Sequence, residues 1–180
     1  MAGQETSPGL QALLRDGKLA GSWTLDAGQS EVVLKTRHTW GLLPLTGAFR
    51  QFSGSGTVTA DGNVTGVFTV VATSVDTNNK RRDEHLRSAA FFDVANHPDL
   101  TFTVDGATAT DEGARVTGSL TVRDQTRPVS FDARVSSAGS EVTLDAEVPV
   151  NRADYGLTWN MLGIASMQST IVIHAVFTRQ

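Results

Sequence analysis

Apolar residues recur at every second position through most of this chain, and that period limits the fold more than any other feature. In residues 29–38, Val32, Leu34, Thr36 and His38 share one phase while Glu31, Val33, Lys35 and Arg37 share the other. A two-residue period sends alternate side chains to opposite faces of an extended strand, so the first set faces an interior. The pattern returns in Gly66, Phe68, Val70, Ala72, Ser74 and Asp76, and again in Leu100, Phe102 and Val104. It continues through Val116, Gly118, Leu120 and Val122, through Val129, Phe131, Ala133 and Val135, and through Val142, Leu144, Ala146, Val148 and Val150. Arg152 extends the last of these series. In residues 170–178 both phases are apolar, with Ile171, Ile173, Ala175 and Phe177 alternating with Val172, His174 and Val176.

Turn chemistry separates the runs. Ser53-Gly54-Ser55-Gly56, Asp61-Gly62, Asp111-Glu112-Gly113, residues 124–128 and residues 136–140 all read as turns. Residues 40–52 hold Trp40, Leu42, Leu43, Leu45, Phe49 and Phe52 around Pro44 and Gly47, which predicts a bent or bulged strand. Eight or nine short strands joined by hairpins define an antiparallel all-β domain. A barrel of about eight strands has an interior wide enough for side chains or one small ligand, whereas a sandwich packs its two sheets directly together. The small inward residues Gly66, Ala72, Gly118, Ala133 and Ala146 leave volume and tip the balance to the barrel.

The one break in the strand pattern is residues 74–102. A polar turn at Thr77-Asn78-Asn79 leads into a charged segment suited to a short helical crossover, and Phe91, Phe92 and Pro98 then return the chain to a strand. Upstream, Leu10, Leu13 and Leu14 follow Ser7-Pro8 at helical spacing, which predicts a short amphipathic helix capped by Ser7 within an extension spanning 1–21. The barrel domain is then 22–180. Residues 1–21 lack a basic segment followed by an apolar core, so neither a secretory leader nor a transmembrane segment is expected, and the expected location is cytoplasmic. A net charge of −4 offers no footprint for nucleic acid, and 0 cysteines leave no disulfide or thiolate metal site.

Three polar residues fall in the apolar phase: His38, Asp76 and Arg152. A buried charge is costly unless paired, so Arg152 is expected to form a structural ion pair with Asp76 or Asp83 that ties the crossover to the barrel. The functional alternative makes Arg152 and His38 a polar end that holds a ligand head group. His38, His85, His97 and His174 show no metal-ligand spacing, His85 lies too close to Asp83 to share its helical face, and no Ser-His-Asp arrangement is legible. Neither a metal nor another cofactor is expected. Trp159, Met161, Leu162, Ile164 and Met167 form an apolar segment that lines or plugs one end, with Trp40, Leu42 and Leu43 at the opposite mouth.

Several blocks together resemble the YceI-like family of lipocalin-like, polyisoprenoid-binding proteins. They are Ser74-Val-Asp-Thr77, Arg82-Asp-Glu-His-Leu-Arg-Ser88, Phe91-Phe-Asp93, His97-Pro98 and Leu100-Thr-Phe102, flanked by Trp23-Thr-Leu-Asp26, Gly118-Ser-Leu-Thr-Val122 and Asn151-Arg-Ala-Asp-Tyr-Gly156. The resemblance spans residues 21–179. Gln29 stands where the family commonly has histidine. The resemblance implies an elongated antiparallel lipocalin-like barrel that holds a long-chain isoprenoid or other amphiphile, such as a polyisoprenoid or quinone-like lipid, without catalysis. The residues expected to line the ligand are His38, Trp40, Leu42, Phe49, Phe68, Val70, Leu86, Phe92, Phe102, Leu120, Phe131, Arg152, Trp159, Met161, Leu162 and Met167. Two other readings remain at this stage. One is a barrel isomerase or cyclase with His38 and Asp76 as acid and base. The other is an interaction protein whose barrel is packed solid by Phe49, Phe68, Phe102 and Phe131. A homodimer through an edge or the last strand is also compatible with the pattern.

Overall fold

The computed structural model describes residues 9–38, with the backbone alone for His38, and residues 42–160 and 165–180. Among them the strands are β1 (Gly21–Leu25), β2 (Glu31–His38), β3 (Leu43–Phe49), β4 (Phe52–Val58), β5 (Val64–Val71), β6 (Val75–Asp76), β7 (Asp99–Ala109), β8 (Gly113–Val122), β9 (Gln125–Ala138), β10 (Glu141–Asn151) and β11 (Gln168–Arg179). All pair antiparallel. The order β1-β4-β5-β7-β8-β9-β10-β11 closes on itself because β11 returns to β1, with Trp23 opposite Arg179. The result is a closed barrel of eight strands, which removes the sandwich and leaves no free edge around that ring.

The remaining three strands extend the ring lengthwise. β11 pairs with β1 near its C-terminal end, Leu25 opposite Phe177, and with β2 further back, Val32 opposite Ile173. β3 pairs with β2, and β4 with β1. β6 pairs with β3 after the chain leaves β5 through a single 3-10 turn, Ala72–Ser74. Three neighbouring strand positions are therefore each made of two pieces. The breaks are stitched locally: Ser30 donates to the Asp26 carbonyl at 2.6 Å and accepts from the Val176 N–H at 2.9 Å, while the Arg50 N–H donates to the Ser74 carbonyl at 3.1 Å.

The turns are fewer and shorter than the composition suggests, since residues 125–128 and 136–138 belong to β9. Ser53-Gly54-Ser55-Gly56 is not a turn but the body of β4, in register with Phe68 and Gly66 of β5. The glycines are there for space. A Cβ on Gly54 would lie 3.2 Å from the Phe68 ring and 3.3 Å from the Leu25 side chain. Gly118 is tighter still, since a Cβ there would meet the Phe102 ring at 2.8 Å. Much of the room left by that inward glycine is thus taken up by an aromatic ring.

Helix α1 (Leu10–Arg15) sits at one end of the barrel and helix α2 (Lys80–Arg87) at the other. The N-cap of α1 is Gly9, with no side-chain cap bond, and Ser7 lies outside the described residues. Asn79 caps α2 by accepting from the Arg82 N–H at 3.0 Å, as a polar turn before a charged run leads one to expect. No helix among the described residues is long and apolar enough to cross a membrane.

Candidate functional site

The inward phases of the barrel strands do not fill the space they enclose. A cavity of about 140 Å³ lies at mid-barrel, with Phe49, Phe68, Val70, Phe102, Leu120 and Phe131 in its wall. The Phe102 and Phe131 rings lie 5.6 Å apart and Phe68 stacks on Phe52 at 6.0 Å. These phenylalanines surround a void rather than pack solid, which counts against the filled-barrel reading. Toward α1 a second cavity of about 180 Å³ shares Val104, Val116, Leu144 and Phe177 with the first and is covered by Leu10, Leu14, Leu19 and Trp23. Trp23 is fixed by its Nε1 donation to the Leu19 carbonyl at 2.9 Å and by the Arg179 guanidinium 4.8 Å from its ring. Cavities lined in this way by apolar atoms stay dry when empty and accept apolar guests.

Toward α2 a third compartment of about 240 Å³ is walled by Leu34, Thr36 and Leu45 of the β2–β3 hairpin, by Arg82, His85 and Leu86 of α2, and by Phe91, Arg152, Trp159 and Ser169. A row of rings stands between it and the mid-barrel cavity: Phe92 lies 6.1 Å from Phe49 and 4.9 Å from Phe91, edge-on to both. Phe92 is buried in this row and lines none of the three cavities. Met167 is half-buried, and its backbone carbonyl accepts from the Arg152 N–H at 2.9 Å. The side chain of His38 and the residues Trp40, Met161 and Leu162 lie outside the described residues.

The expected ion pair is not formed. Arg152, 7% exposed, donates through Nη1 to the carbonyls of Leu157 at 2.6 Å and Trp159 at 2.8 Å, through Nε to Ser166 at 2.9 Å, and more weakly through Nη2 to Ala165 at 3.5 Å. Its guanidinium also lies 5.7 Å from the Phe91 ring centre. Desolvation lowers the pKa of Arg152 from its ordinary value, and the ring of carbonyl dipoles is what solvates the charge in place of water.

Both proposed acidic partners are engaged elsewhere. Asp83, buried in α2, accepts from the Thr77 N–H at 3.0 Å and from Thr77 Oγ1 at 2.5 Å. Asp76 points outward and pairs with Arg50 at 3.1 Å. The 3-10 turn at Ala72–Ser74 shifts the two-residue period, so Val75 takes the interior position and Asp76 the outer one. The backbone N–H of Asn78 and then Arg50 hold the Asp76 carboxyl below the usual carboxylate range. An outward, ion-paired Asp76 does not serve as the acid or base of an interior reaction.

Two positions differ further from expectation. Leu42 is 75% exposed, and the start of β3 lies at the same end as Trp159, Ala165 and Ser166 rather than at the opposite mouth. β11 starts beside the far part of β2, with Thr170 opposite Lys35, and the Ser166 N–H donates to the Arg37 carbonyl at 2.9 Å. The residue that sequence reasoning set aside is His85. Its ring lies 4.1 Å from Trp159 and 6.5 Å from Phe91, and its Nε2 is buried with no hydrogen-bond partner among the described residues. The spacing of Arg82, His85 and Leu86, at i, i+3 and i+4, is the signal that could have found it.

A closed antiparallel barrel with an apolar, partly empty interior and one polar end is a fold that can enclose a small ligand. The YceI-like domain profile matches residues 23–177, and the chain belongs to that family. Protein YceI of Salmonella arizonae is 34% identical over 141 residues, covering 72% of this chain and 71% of that protein. A UPF0312 protein of Pectobacterium carotovorum is 35% identical over 148 residues, covering 76% of this chain and 74% of the relative. Among solved structures, Burkholderia cenocepacia BcnA superposes with a TM-score of 0.77 at 22% identity, over 84% of this chain and 98% of that one. A polyisoprenoid binding domain from Saccharophagus degradans, implicated in plant cell wall breakdown, superposes with a TM-score of 0.71 at 16% identity, over 88% and 98% of the two chains.

Proposed function

We propose that this chain binds one long-chain apolar lipid, a polyisoprenoid or quinone-like molecule, inside the barrel and stores, transports or sequesters it without chemistry. The observation that carries this reading is the succession of apolar cavities from α1 to α2, which follows the length of the barrel rather than forming one rounded pocket. An elongated apolar guest gains roughly 25 cal/mol for each Å² it removes from water there. The polyisoprenoid-binding description of one structural neighbour supports the same class of guest.

The ligand's polar end belongs in the α2 compartment. His85 Nε2 lacks a partner, and a buried polar atom left unpaired costs about 1–3 kcal/mol. A hydroxyl or carbonyl on the guest recovers part of that cost once a side chain beside Nε2 rotates. Trp159, in contact with His85 and 43% exposed, is placed to do so. The test is organic extraction of the purified protein with mass spectrometry, paired with displacement of a bound hydrophobic probe by prenyl alcohols and quinones. Recovery of a lipid and displacement by these compounds are expected. An empty extract together with a probe that no prenyl compound displaces would overturn the reading.

A further inference from the structure

We infer that the α2 end of the barrel docks on an anionic bilayer surface. The inference takes its purpose, though not its existence, from the lipid-carrier reading. Leu42, Leu43, Val67 and Trp159 are the large apolar side chains left exposed among the described residues, and three of the four lie at this end. Leu42 is 75% and Leu43 50% exposed where the chain enters β3, and Trp159 is 43% exposed on the wall of the α2 compartment. Leu45, two residues beyond Leu43, lines that same compartment. The exposed apolar tip and the polar end of the interior are therefore adjacent.

Charge identifies the partner. The described residues that build this end, 35–38, 42–50, 74–99, 123–127 and 151–160, carry ten Lys and Arg against seven Asp and Glu, in a chain whose net charge is −4. Lys35, Lys80 and Arg81 are exposed there. One surface groove nearer the other end is acidic in balance, with Asp111, Glu112, Asp132, Asp145 and Glu147 against Arg134 and His174. A molecule with this polarity turns its α2 end toward a negative surface. Exposed leucine and tryptophan side chains on an end that also exposes lysine and arginine match the boundary between acyl chains and anionic headgroups, where each basic residue adds attraction that salt screens. A second copy of the chain would have to bring two basic ends together, so an anionic bilayer is the better fit. Docked in this way, the compartment opens onto the phase from which a prenyl lipid is drawn.

The experiment is co-sedimentation with vesicles of phosphatidylcholine alone and of phosphatidylcholine mixed with phosphatidylglycerol, at low and at physiological salt. Binding to the mixed vesicles only, weakened by salt, is expected. Replacing both Lys80→Glu and Arg81→Glu is expected to lower that binding by at least about tenfold, with thermal unfolding and displacement of the interior probe in detergent unchanged. Leu43→Asp is expected to lower it as well, since it removes an apolar anchor. Absence of vesicle binding, equal binding to neutral and anionic vesicles, or unaltered binding of the Lys80/Arg81 variant overturns the inference. So does concentration-dependent self-association, abolished by Leu43→Asp, in a protein that ignores vesicles. The detergent assay separates the two readings: loss of probe displacement with vesicle binding intact removes the lipid carrier and leaves the docking surface, and the reverse result does the opposite.

Discussion

At Arg152 a positive charge with no carboxylate beside it among the described residues is kept in the interior by carbonyl oxygens. The fork of the guanidinium reaches several carbonyls at once, and a lysine ammonium cannot match that planar geometry. Arg152→Met leaves the Leu157 and Trp159 carbonyls without their donor and is expected to cost on the order of 3 kcal/mol, read as a lower urea midpoint. Arg152→Lys should recover only a small part of it. At Asp76 the prediction concerns pH. Its folded-state pKa is depressed, so its contribution is present above the ordinary carboxylate value and is lost as pH falls through the folded one. Asp76→Asn should therefore be less stable than the parent near neutrality, and the two proteins should converge in acid. At His85 the test is chemical. His85→Phe is expected to weaken binding of prenyl alcohols by roughly tenfold while leaving a pure hydrocarbon of equal length unaffected, as measured by probe displacement.

Among the elements, the row Phe49, Phe92 and Phe91 is the constriction that an elongated guest with its polar end in the α2 compartment must push through. Phe92→Leu replaces the middle ring of that row by a smaller side chain, at a cost of roughly 1–3 kcal/mol for the space left behind. The constriction then widens, and long prenyl compounds should gain affinity relative to short ones in a competition series. An unchanged length preference would show that the ring row is no barrier. The strands themselves were legible because alternation in Val116–Val122 or Val142–Val150 has one structural meaning. The two-piece strands were not. Ser53-Gly54-Ser55-Gly56 has the composition of a turn, and only the proximity of Phe68 and Leu25 explains glycine inside a strand. Arg152 failed for a related reason: its inward phase demanded partners, but backbone carbonyls bear no mark in a sequence, whereas Asp76 and Asp83 do. The displacement of Asp76 to the outer face depends on one 3-10 turn, which a strict two-residue count cannot anticipate.

For the whole molecule, closure and filling are coupled. The wall is complete before any guest arrives, and the void inside is small and divided. A guest that binds only the folded barrel raises its stability by about 2.7 kcal/mol at a hundredfold excess over Kd, enough to shift Tm upward by several degrees in a scan with and without prenyl lipid. The same closure bears on entry. Five of the eight staves run unbroken, while the three made of β1 with β2, β3 with β4, and β5 with β6 are jointed side by side, near Ser30, Arg50 and Ser74. A tube jointed along part of its circumference can change girth at that level while its long hairpins stay paired, so swallowing a guest wider than the resting bore does not require the barrel to come apart.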